Sequence, residues 1–185
     1  MKRRALAAFA LAIAACSEPQ PPQAEAPVQE ARTGCTAEYS LDWSAVGSAY
    51  YVIEAEAAGY TCGEAVATMR IRSRDGQTLF EHAYPVADVP LAFNPNGNQT
   101  TLRADLEAWT QNVADPPTTD FLPAWPAGAE RPPFFQPEVS RARYESARGA
   151  QGPLFCFPDG GESNACVAMD GASATLLGSR TPERE

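Results

Sequence analysis

Apolar and polar residues alternate over residues 50–57. Tyr51, Ile53 and Ala55 fall on one side, and Tyr50, Val52, Glu54 and Glu56 on the other. A period of two marks a strand with one covered face. Alternation recurs on both sides of Asp75-Gly76, where residues 69–74 meet residues 77–84. Asp-Gly favours a two-residue type I′ hairpin turn, which would oppose Arg74 to Gln77. Ile71 then faces Phe80, Met69 faces His82 and Ala67 faces Tyr84 on an apolar side, while Arg70 faces Glu81 on the other. Register and burial therefore agree.

The period lengthens over residues 100–113, where Leu102, Leu106, Trp109 and Val113 share one helical face. Asn98 or Thr100 is placed to cap this helix, just after the turn Asn94-Pro95-Asn96-Gly97. A second, shorter helix is expected over residues 139–148, stopped by Gly149. Three strands follow, at residues 154–157, 165–169 and 174–178. Short connections between strands suit antiparallel pairing. The expected fold is α+β, a mainly antiparallel sheet with one or two helices on it, stapled by two disulfides.

The amino-terminal residues change the picture. Lys2, Arg3 and Arg4 precede an apolar run over residues 5–14, which is too short to span a bilayer. The run closes in Ile13-Ala14-Ala15-Cys16, which resembles the lipobox of bacterial lipoproteins. The resemblance implies that residues 1–15 are a lipoprotein signal peptide and that the Cys16 thiol carries a diacylglyceryl group. The new amino terminus is then acylated as well, and several chains give stable anchoring where one is marginal. Ser17, in place of an aspartate, implies the outer membrane rather than inner-membrane retention.

Residues 16–34 hold four prolines and almost no large apolar side chain, which predicts a disordered tether. Stretched out, it reaches ~60 Å from the lipid. The globular domain is expected over residues 35–178, with a charged, frayed tail at 179–185.

With Cys16 assigned to lipid, an even number of cysteines remains: Cys35, Cys62, Cys156 and Cys166. An exported chain with such a remainder suggests disulfides. Cys156 and Cys166 lie symmetrically about Gly161 in a turn rich in Pro, Asp, Gly and Asn, so a hairpin would bring them face to face. That leaves Cys35 with Cys62. No CxxC occurs and His82 is the one histidine, so neither a metal site nor a cofactor is expected.

The net charge is −9, and loss of the signal's three cations takes it to −12. So acidic a chain is a poor partner for nucleic acid and, if charge matters, a better one for a basic protein. His82 reads as a partly buried structural residue. No nucleophile elbow and no phosphate loop appears. Two carboxylate pairs, Glu54 with Glu56 and Asp105 with Glu107, share an element without forming an acid–base arrangement by spacing alone.

Residues 116–137 stand apart. Seven prolines forbid a central strand or long helix there, yet Phe121, Leu122, Trp125, Phe134 and Phe135 are too apolar for a linker. Either these aromatics fold back as core, or they form a recognition loop stiffened in advance. Phe121, Trp125, Phe134 and Phe135 are the candidate binding residues. The functional expectation is a lipid-anchored, non-catalytic envelope module that binds an envelope protein or other component. The alternatives are an anchored hydrolase acting on cell-wall or glycan material, and a structural envelope protein.

Overall fold

The computed structural model describes residues 34–45, 49–111 and 118–181. Cys16, the signal, the tether up to residue 33, Val113 and the last residues of the tail lie outside the described residues. The fold is α+β and mainly antiparallel, with its strands divided between two sheets.

The first sheet runs β1 (Cys35–Ser44), β2 (Tyr50–Gly59), β3 (Val66–Ser73) and β4 (Thr78–Pro85) in sequential order. Its inner face collects the alternate residues Trp43, Tyr51, Ile53, Ala55, Ala57, Ala67, Met69 and Ile71, all buried. β1 was not expected from sequence. Yet Ala37, Tyr39, Leu41 and Trp43 alternate with exposed Thr36, Glu38, Ser40 and Asp42.

In the β3–β4 hairpin, Ile71 faces Phe80, Met69 faces His82, Ala67 faces Tyr84 and Arg70 faces Glu81, as the pattern predicts. The turn itself differs. Type I′ geometry requires positive φ at both central residues, and Asp75 does not have it; Gly76 does, at 86°. Ser73 and Gln77 close a three-residue loop instead, with Ser73 N donating to Gln77 O at 2.9 Å. The pairing then sets Arg72 opposite Thr78, and a bulge at Leu79 restores the predicted register from Ile71 inward. The longer turn and the bulge offset each other.

Helix α1 (Gln99–Thr110) lays Leu102, Leu106 and Trp109 on the first sheet. The Asn98 side chain caps it, accepting from Thr101 N at 3.0 Å. The Trp109 indole donates to Pro158 O at 2.8 Å, which ties the helix to the second sheet.

That second sheet has the order β5 (Phe135–Pro137), β8 (Ser173–Arg180), β7 (Asn164–Asp170), β6 (Leu154–Pro158). Its central residues are buried on both faces. Phe155, Phe157, Ala165, Val167 and Met169 join the core under the first sheet. Leu154, Cys166, Ala168 and Leu177 face a smaller cluster with Tyr144, Phe135 and Leu122. Uninterrupted apolar runs such as Ala165 to Met169 are what two covered faces require. Helix α2 (Arg141–Ala150) covers this back face through Tyr144 and begins at the cap Ser140. It stops at Gln151, left-handed at φ 51°, and not at the expected Gly149, which remains helical.

Both expected disulfides form. Cys35 and Cys62 have Cα atoms 5.0 Å apart. Cys156 and Cys166 pair directly across β6 and β7. No helix among the described residues is long and apolar enough to cross a membrane.

Candidate functional site

The proline-rich stretch resolves into two populations of aromatic residues. Phe135 is buried in the smaller core cluster, as the first residue of an edge strand. Trp125 is held in place: its indole donates to Ala129 O at 3.0 Å and its ring meets Tyr144 edge-on at 5.7 Å. Its backbone N–H donates to Glu145 at 2.7 Å. These two candidates extend the core.

Phe121 and Phe134 do not. Their exposures are 61% and 46%, high for large apolar side chains. Hydrogen bonds hold the backbone at both positions. Phe121 ends a 3-10 turn (Thr119–Phe121) pinned by a Thr119 hydroxyl bond to Ala147 O at 2.6 Å. Phe134 precedes β5 and accepts from Thr181 N at 3.0 Å through its carbonyl. Its φ is 55°, a left-handed conformation that L side chains rarely adopt. Backbone strain of this kind is kept where the surroundings over-determine it, often at functional positions.

Arg180 completes the group. Its guanidinium lies 5.2 Å from the centre of the Phe121 ring, and its Cα is opposed to Phe135 across β5 and β8. The sequence places Arg180 in the charged tail expected at 179–185. The strand instead runs through Gly178, which is needed there: its φ is 139°, and a Cβ would sit 2.1 Å from Gln136 O. Beside Phe134 lies a hollow of about 560 Å³ walled by Arg131, Pro132, Pro133, Gln136, Glu162 and Thr181. Arg131 donates to the Gln136 side chain at 2.8 Å, which fixes one wall.

The other candidates have structural partners. Arg70 joins Glu56, at 2.7 Å, and Glu81 across three strands, and Arg72 joins Glu54 at 2.7 Å. The hydrogen bond from Arg70 holds the Glu56 carboxyl below its ordinary range, which suits an ion pair and not a general acid. Asp105 accepts from Asn94 N at 2.9 Å, and Glu107 accepts from Gln111 at 3.0 Å. His82 is exposed rather than partly buried, its ring 4.6 Å from Tyr84 on the edge strand β4. Among the described residues no group of His, Cys, Asp or Glu could hold a metal. Comparison with protein-family models, curated proteins and solved structures returned no match.

Proposed function

We propose that this chain is an exported envelope lipoprotein, anchored through Cys16, whose domain is a non-catalytic binding module. The observation that carries the binding role is the exposure of Phe121 and Phe134 beside Arg180, on three segments held by backbone hydrogen bonds. Two aromatic faces and one cation, fixed in advance, lose little entropy when a partner covers them. The carboxylates that might have supported hydrolysis are engaged in ion pairs and hydrogen bonds, which further favours binding over catalysis.

The test uses the full chain in cells that lipidate exported proteins. A photo-crosslinking phenylalanine analogue replaces Phe134, and a second chain carries it at Glu81, which pairs with Arg70 on the outer face of the first sheet. Irradiation is expected to join position 134, and not position 81, to an envelope component, whether protein or lipid. No adduct at 134, or equal adducts at both positions, overturns the reading. Cys16→Ala is expected to release the chain from the membrane fraction; its retention there would refute the anchor.

A further inference from the structure

Five large apolar side chains stand strongly exposed among the described residues: Tyr60, Val66, Leu91, Phe121 and Phe134. They belong to four separate segments, yet the topology gathers them at one end of the domain. In the first sheet, β1 begins, β2 ends, β3 begins and β4 ends at the same edge row, where Cys35 faces Gly59 and Val66 faces Ala58 and Pro85. Tyr60 follows Gly59 directly and is the most exposed of the five, at 81%. Leu91 lies in the segment after Pro85, which stays at this end: Val86 N donates to Ala65 O at 2.9 Å, and Pro95 O lies against Gly63.

The second sheet points the same way. Tyr84, one residue from the end of β4, meets Phe157 edge-on at 5.8 Å. Phe157 also meets Phe80, at 6.2 Å, while Phe155 meets Trp43, near the far end of β1, at 5.6 Å, so β6 runs toward the Tyr84 end. Phe157 is opposed to Ala165 and Ala165 to Ser179, which leads Arg180 and Thr181 toward that end. Arg180 carries Phe121, and Thr181 carries Phe134. At the other end, Gly171 instead meets Tyr50, Ser73 and Asp75 around a shared hollow.

The chain enters the domain at Gly34, also at this apolar end, through Cys35. Residue 34 is eighteen positions from Cys16. From these placements we infer that the apolar end is a lipid-binding face: the domain rests on the bilayer that holds its anchor, with Tyr60, Leu91, Phe121 and Phe134 in the headgroup region. The inference rests on the anchored reading of Cys16 and gives its binding surface a partner. A short tether keeps the local lipid concentration in the millimolar range, so contacts too weak for capture from solution are populated. Tyr favours the interface between headgroups and hydrocarbon, and Phe and Leu bury at the headgroup–acyl boundary. Glu64 and Asp88 lie in the same loops, while Arg180 stands beside Phe121 and Arg131 beside Phe134. The face therefore carries both signs and suits a zwitterionic headgroup, with no one-signed charge to draw it to an anionic surface.

The experiment places the full acylated chain in phosphatidylcholine vesicles and labels its side chains with hydroxyl radicals. Tyr60, Leu91 and Phe134 are expected to label at least about fivefold more slowly than in detergent-free Cys16→Ser chain. Tyr50, at the opposite end, serves as the reference and should not change. In the double variant Tyr60→Glu, Leu91→Glu the chain still floats with the vesicles, and Phe134 labels at its solution rate. A wild-type chain that floats with the vesicles yet labels as fast as in solution overturns the lipid face and leaves the anchor standing. A wild-type chain that does not float overturns both. Protection that appears without vesicles and grows with protein concentration identifies a second copy of the chain as the occupant, and also overturns the lipid face.

Discussion

Phe134 and Phe135 are adjacent, chemically identical and opposite in consequence. Phe135 fills the smaller core cluster with Tyr144 and Leu177, and Phe135→Ala should cost about 3–5 kcal/mol through the lost ring and the cavity left behind. Phe134→Gly removes a half-exposed ring but also relieves a left-handed backbone that costs an L residue ~1–2 kcal/mol, so stability should stay within about 1 kcal/mol. Urea denaturation of the two variants measures both numbers. A Phe134→Gly loss as large as that of Phe135→Ala would make Phe134 a core residue. Sequence could not separate the two, because identity and neighbourhood are the same for both. What divides them is the pairing of Phe135 with Arg180, a contact across 45 positions that no local pattern carries.

At the scale of elements, most of the fold was legible where one face is wet. β2 and β3 alternate cleanly, and Leu102, Leu106 and Trp109 mark the buried stripe of α1. Legibility failed where backbone conformation, not side-chain pattern, sets the boundary. Gly149 was read as the stop of α2, but the left-handed residue is Gln151. Gly178 was read as the end of the domain, but it is the point where β5 approaches β8 too closely for any side chain. Gly178→Ala should therefore be among the most damaging single substitutions, about 3 kcal/mol or more, because backbone and not a flexible side chain must move. It should also release β5 and with it Phe134. Thermal melting gives the first effect, and accelerated amide exchange confined first to residues 134–138 gives the second. An alanine variant that melts like wild type would show that β5 can shift freely. The aromatic candidates were only half legible for a related reason. The sequence marks the stretch as proline-rich and apolar, but which rings turn inward is decided by α2, whose Tyr144 receives Trp125 and Phe135.

For the whole molecule, the two-layer core sets how stability responds to pH. Burial pushes the Tyr144 hydroxyl up to about 12 and Tyr84 higher still above its ordinary value. Tyr144 donates to Pro123 O at 2.8 Å, a bond that the ionised form cannot make. An acid whose folded pKa is raised binds its proton more tightly when folded. Its contribution is complete below the unfolded value near 10 and is lost as pH rises from there toward 12. Stability should fall over that window, and Tyr144→Phe should begin from a lower value at neutral pH, by about 1 kcal/mol for the lost hydrogen bond, yet decline less steeply. Urea midpoints between neutral pH and the alkaline limit check both the sign and the window. An identical slope in the variant would place the alkaline loss elsewhere.

The Cys35–Cys62 bridge has a mechanical meaning. Any pull on the chain ahead of Gly34 reaches the domain at Cys35, the first residue of an outermost strand, facing Gly59. In an antiparallel pair loaded at one end, bonds open one after another, like a zipper, at low force. The bridge clamps the zipper at its first tooth and carries the load past β1 to Cys62, between β2 and β3. β1 is thereby spared from peeling, and tension is spread across the sheet.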